Sequence, residues 1–315
     1  MPDFFSITQD FKNFVLSDAD TSMGLGDTTF IDKLSDPSLN HLNDNTEQAK
    51  NLLATIESIS VNDFNNQLDL ELMARYLKQQ IFFNELEQAG QPQRCRKPSG
   101  VDGISEGIFQ LFVNDERTAE ARLDNILSRL LQTPSDLKIE AEVITQPIKR
   151  WNDIEIEQGE GLPDLFATIF NWAKEANYSK QGDLENAIEA CNTALAAYLE
   201  DLKSRECLID FTIGEDKVIE LLALRNIKQS PAELIQMARD FMADTQSLLA
   251  SLNKRLCKKY QLAAGTSDEQ LHEFLNEKFA AKIKNGNLNA VLDYYSEQIE
   301  SINNFIEQRH LFAIP

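Results

Sequence analysis

Ser230-Pro231-Ala232-Glu233 is a helix start written in four residues. Serine is an N-cap, proline occupies the first helical position where its missing N–H costs nothing, and glutamate completes a capping box. From there Leu234, Ala238, Phe241, Thr245, Leu248, Leu249, Leu252 and Leu256 recur at three- and four-residue steps, one apolar stripe along a long helix. The stripe predicts a core-facing helix. The same cadence runs from Asp183 to Arg205, with Ala187, Ile188, Cys191, Ala194, Leu195, Tyr198, Leu199 and Leu202 on one face, acids near the start and Lys203 and Arg205 at the end, as the macrodipole favours.

Working outward, Asn45–Ile59 and Asp63–Gln88 read as two helices joined by a short connection, an expected antiparallel hairpin. Asp115–Leu131 and Pro134–Ile144 follow, with Pro147 ending or kinking the second. Ser267–Ala281 and Leu288–Gln308 are expected to be joined through Gly286. Trp151–Glu157 and Cys207–Ile213 carry only short strand-like patterns and read as connectors. Three stretches read as non-helical: 19–43, 89–102 and 158–163. The middle one, with Arg94, Arg96 and Lys97 among Gly, Pro and Ser, is expected to be a surface loop. The fold class is therefore all-α: long antiparallel helices, short connectors, negligible strand, residues 1–315 forming one helical unit.

Composition narrows the function classes. The chain has 315 residues, 42% of them hydrophobic, with 12 Gly and 9 Pro, enough for one large core or two modest ones. A formal charge of −21 repels phosphate backbones and anionic headgroups, so neither nucleic acid nor membrane is an expected partner. No apolar run approaches the roughly 18 to 20 residues a spanning helix needs. Cys95, Cys191, Cys207 and Cys257 include no C-x-x-C pair, which argues against a zinc knuckle or disulfide framework and for a cytoplasmic protein. Cys191 and Cys257 sit among apolar helical positions and read as small buried hydrophobes.

Candidate chemistry is thin. His272-Glu273-Phe274-Leu275-Asn276 is one residue short of the H-E-x-x-H zinc motif, and an asparagine amide is a poor zinc ligand. His41 and His310 lie far from it in sequence. Asp153, Glu155, Glu157 and Glu160, like Glu297 and Glu300, read as solvated acidic faces, since acid catalysis needs a desolvated carboxyl with a raised pKa. Asn62–Asn66 lacks the glycine and closing glutamate of a calcium loop, and Gly24-Leu25-Gly26-Asp27 reads as a turn rather than a phosphate cradle. Phe4, Phe5, Phe11, Phe14, Phe82, Phe83, Trp151, Trp172, Tyr294 and Tyr295 read as packing. No catalytic, cofactor-binding or metal-ligating residue is assigned.

Several segments, taken in order, resemble a known family. Thr21-Ser22-Met23-Gly24-Leu25-Gly26-Asp27, Asp32-Lys33-Leu34-Ser35-Asp36-Pro37-Ser38, Phe211-Thr212-Ile213-Gly214-Glu215-Asp216-Lys217 and the closing Phe305–Pro315 are similar to the amino-terminal half of the bacterial domain-of-unknown-function family 885, whose members look like zinc metallopeptidases. The resemblance implies an all-helical scaffold forming one wall of a peptide-binding cleft. The family's His-Glu and Pro-Gly-His positions have no counterpart here, so none of its catalytic or metal residues carries over and no cofactor is expected. The expectation is an incomplete or non-catalytic half, inactive alone, whose partner is a carboxy-terminal catalytic half or a peptide; the apolar tail at Ile314-Pro315 reads as a truncation. The alternative is a helical protein–protein adaptor with no enzymatic role.

Overall fold

The computed structural model describes residues 3–88, 97–113, 116–263, 265–280 and 288–312. Among these are twelve helices and, in place of strands, an isolated parallel bridge between Ile148 and Leu208. The chain divides into two compact units, Met1–Pro231 and Ala232–Pro315.

In the first unit, four helices close on one another: α5 (Gly100–Val113), α6 (Ala119–Val143), α7 (Lys149–Glu175) and α8 (Gln181–Ser204). Helix α5 packs on α6 and α7, and α8 packs on the same two. Their core holds Ile104, Ile108, Leu123, Ile126, Leu130, Phe166, Ile169, Leu184 and Leu195, all essentially without solvent contact. A second core lies among α1 (Phe4–Val15), α3 (Leu39–Ser58) and α4 (Phe64–Gln88), around Ile7, Ala49, Ile56 and Leu77. Helix α9 (Glu215–Leu224) packs on α4, and the short α2 (Ala19–Gly24) on α5.

The structure corrects several boundaries. Residues 19–24 are helical because Asp18 caps them, accepting the Thr21 N–H at 2.9 Å. Ser38 does the same for α3 at His41 (3.1 Å), so that helix starts at Leu39, inside the expected loop. Gly100–Asp102 form the first turn of α5; residues 89–96, including Cys95 and the two loop arginines, and the expected Gly286 turn lie outside the described residues. Residues 151–163 are helical within α7. Burial on one side of these residues, at Asn152, Glu155, Gly159 and Leu162, overrides the local polarity that suggested connectors.

Pro134 does not open a new helix but sits inside α6. Proline removes the N–H that would bond to the carbonyl four residues back, here Leu130. The buried Cys191 thiol of α8 donates to that carbonyl instead, S···O 3.0 Å. Cys191 is thus a buried residue, as expected, with a definite hydrogen-bonding task; burial pushes its thiol pKa up to about 11.

The second unit contains α10 (Pro231–Tyr260), α11 (Asp268–Lys278) and α12 (Leu288–Arg309). Ser267 and Gln270 form a reciprocal capping box on α11. The tip of α10 meets α11 through Tyr260 against Phe274 and Phe279, and through Asn253, whose amide donates to Asp268 at 2.6 Å. The expectation that α10 faces a core is overturned: none of its residues is buried, and Phe241, Leu248, Leu249 and Leu252 are exposed.

Candidate functional site

The stretch 18–38, which holds the first two of the segments that carry the family resemblance, is seated on α6 by two side chains. Arg129, with no solvent exposure, donates from Nε to the Ile31 carbonyl (2.8 Å) and from Nη1 to Asp20 Oδ1 (3.4 Å). Gln132, one turn on, donates to the Asp32 carbonyl at 2.8 Å. Room for the guanidinium comes from α5: a Cβ on Gly107 would stand 1.9 Å from Arg129 Nη1. Burial depresses the Arg129 pKa and raises that of Asp20 against the pull of their mutual attraction; Arg129 is held by Asp20 and the Ile31 carbonyl, and Asp20 by Arg129 and Ser35. Gly26, at a φ of +80°, closes the turn after α2, and the Thr29 hydroxyl and then its N–H (2.8 Å) donate to Asp27, which lowers its carboxyl pKa. The turn reading holds from Leu25 on, whereas Gly24 is the last residue of α2.

Beside this seat, the first turn of α5 is clasped by two carboxylates from different helices. Glu140 of α6 accepts the Ser99 N–H at 2.9 Å, and Glu155 of α7 accepts the Val101 N–H at 2.8 Å and the Tyr198 hydroxyl at 3.0 Å. These bonds occupy amide hydrogens that a helix start leaves free, and acids there complement the dipole. A Cβ on Gly100 would come within 2.9 Å of Leu137 Cδ2, so only glycine lets the turn sit this close to α6. Glu155 corrects the expectation of a solvated acidic face. Asp153, Glu157 and Glu160 are exposed, whereas Glu155 is 1% exposed and burial raises its carboxyl pKa.

Above the clasp opens a hollow of about 440 Å³ lined by Asp18, Asp20, Asp36, Asp102, Glu106 and Asp136, with Ser99, Gly100 and Glu140 among its walls. A neighbouring hollow of about 280 Å³ shares Asp18 and Asp36 and adds His41, Tyr76 and Asn84. The arrangement suits a cationic or hydrogen-bond-donating group and disfavours anions. His41 is thereby placed on a pocket wall, far in sequence from His272, which is exposed on α11 beside exposed Glu273 and Asn276. Among the described residues no three His, Cys, Asp or Glu side chains gather tightly enough to hold a metal ion. Glu297 and Glu300 are exposed on α12.

Sequence reasoning missed Arg129, Glu140 and Tyr198 as a polar seam. The available signal was α5 itself, in which Gly100, Gly103 and Gly107 interrupt an apolar helix on which something must approach closely.

The family profile described as "Bacterial protein of unknown function (DUF885)" matches residues 18–315. The chain belongs to the DUF885 family. The match begins at Asp18, which caps the seated segment, and takes in both units. A solved structure described as "a putative lipoprotein of unknown function from Shewanella oneidensis" superposes with a TM-score of 0.67 at 15% identity, over 100% of this chain and 59% of that one. At that identity the likeness speaks for the fold alone. The chain spans 59% of the length of that solved structure. No curated protein matches the sequence. Among the described residues no helix is long and apolar enough to cross a membrane.

Proposed function

We propose that this chain is the non-catalytic helical part of a metallopeptidase-like DUF885 protein, corresponding to its amino-terminal half, and that it forms one wall of a peptide-binding cleft completed by a carboxy-terminal catalytic segment. The observation that carries this is the second unit. Helices α10 and α12 present Phe241, Met242, Leu248, Leu249, Tyr295, Ile299, Ile302 and Phe305 to solvent. Helix faces that leave this many large apolar side chains open to water are surfaces built to be covered. The 59% span of the solved relative supports a further segment as the cover. The acidic hollow on the first unit favours the basic or amino-terminal groups of a peptide over its carboxylates. The described free thiols, Cys191, Cys207 and Cys257, support a reducing, cytoplasmic setting.

The test is reconstitution with the carboxy-terminal segment of a full-length DUF885 protein. A one-to-one complex with chelator-sensitive peptidase activity, absent from either piece, is expected. Phe241→Glu together with Leu248→Glu should abolish the complex while the circular dichroism of this chain is unchanged. Hydrolysis by the pure chain alone would overturn the non-catalytic assignment. A second reading, a helical adaptor, is favoured by the open groove of about 750 Å³ between α7 and α8, walled by Pro163, Ala167, Phe170 and Ile188 and flanked by Glu185 and Glu189. Failure to reconstitute, with a protein partner lost on Phe170→Glu, would select it.

A further inference from the structure

Four elements meet beneath the first turn of α5, and they bring more hydrogen-bond acceptors than donors. Oε1 of Glu155 already receives two hydrogens, from Val101 and Tyr198. Its other oxygen, Oε2, is buried and receives none, and the same is true of Oδ1 of Asn152. Asn152 stands three residues before Glu155 on α7, a spacing that puts the two on one helix face. Both residues are almost wholly shielded from solvent. Turning the Asn152 amide over offers no relief, because its nitrogen donates to the Leu202 carbonyl at 3.0 Å and the exchange would set oxygen against oxygen.

Two orphan acceptors on one buried face of α7 call for one shared hydrogen. We infer that this seam is a proton-binding site: Glu155 is a neutral carboxylic acid whose Oε2–H donates to Asn152 Oδ1, while Oε1 goes on accepting from Val101 and Tyr198. One proton then satisfies both buried atoms and leaves every bond already present intact.

The surrounding charges are consistent with that assignment. Asp102 on α5 and Glu140 on α6 face Glu155 and disfavour a second negative charge, and burial disfavours it more. Tyr198 on α8 and the Val101 N–H act in the other direction by donating to Glu155. Arg205, just past α8, spends its guanidinium on Asp201 and on the carbonyls of Ala141 and Ile144. On α7 itself, Asp153 and Glu157 are exposed and turned away from the seam. The proton accordingly lets two acids share one helix start, and through Ser99, Gly100 and Val101 it holds the floor of the acidic hollow.

The consequence for stability follows from linkage. The folded protein keeps a proton that an unfolded glutamate surrenders near its ordinary pKa, so stability falls as pH rises from that value through the raised one in the fold. The decisive measurement is infrared spectroscopy of the wild-type chain at about pH 6, where ordinary carboxyl groups are ionised. A protonated-carboxyl stretch is expected, absent in Glu155→Gln and shifted in Asn152→Ala, which removes the acceptor. In parallel, Glu155→Gln, whose amide supplies the same hydrogen permanently, should gain melting temperature relative to wild type between about pH 5 and about pH 8. No protonated-carboxyl band in the wild type at about pH 6, or a difference between the two proteins that is flat with pH, overturns the inference and means that a carboxylate sits there with bound water as the donor. Should Glu155→Gln fail to fold, the wild-type band and its displacement in Asn152→Ala decide the matter.

Discussion

Helices α8 and α10 carry the same message in sequence and meet opposite fates in the fold. Each lays small and large apolar residues at three- and four-residue steps along one face. In α8 that face closes the first-unit core, burying Leu184, Ala187, Cys191, Leu195, Tyr198, Leu199 and Leu202. In α10 no residue is buried; Phe241 stays 72% and Leu248 69% exposed. An amphipathic stripe therefore states that a face needs cover, not that its own neighbours supply it. Cover in α8 comes from α6 and α7, which bring complementary stripes of their own. Helix α10 meets the short α11 near its far end, through Tyr260 and Asn253.

This contrast can be broken by experiment. The largest effect is expected at Leu195, 2% exposed in the middle of α8: Leu195→Ala should lower unfolding free energy by about 2–5 kcal/mol in chemical denaturation. A loss below about 1 kcal/mol would mean that the four-helix core is looser than it is drawn. Next comes Cys191, where packing and hydrogen bonding coincide. Cys191→Ala removes the donor that serves the Leu130 carbonyl released by Pro134, and should destabilise by about 1–3 kcal/mol. Restoring an ordinary helical N–H with Pro134→Ala in the same chain should recover part of that loss, giving a non-additive double-mutant cycle. The smallest effect belongs to α10. Leu248→Ala should change the stability of this chain by less than about 0.5 kcal/mol while reducing fluorescence of a hydrophobic dye bound to it. A loss at Leu248 comparable to that at Leu195 would show that α10 is covered after all, and would remove the main support for a missing partner segment.

Much of the helical framework was legible in advance, for identifiable reasons. The α8 span came from apolar periodicity and terminal charges, a local signal, and the α11 start read at Ser267 is where the structure puts a capping box with Gln270. The first half of α7 was not read as helix: Trp151–Glu157 reads as a connector and Gln158–Pro163 as non-helical. In the fold Gly159 is the close contact, where a Cβ would stand 2.7 Å from Leu199, and the residues around it are helical because α8 packs there. The acidic seam was less legible still. Glu155 is written among Asp153, Glu157 and Glu160 with nothing to distinguish it, and only its place at the start of α5, 54 residues earlier, makes it buried and bonded. Arg129 likewise reads as one more helical arginine until residues 20–32 fold back over it.

The sequence by itself determined the class of fold, the apolar phase of α8 and α10 and the absence of a complete zinc-ligand motif, because periodicity, caps and residue chemistry act within a few turns of chain. Tertiary structure alone decided which stripes find cover, which glutamates lose their water, and where the turn segment 18–38 is pinned. Those outcomes depend on contacts between residues tens to a hundred positions apart, and burial, the largest influence on a carboxyl group, is a property of what surrounds a residue rather than of what precedes it in the chain.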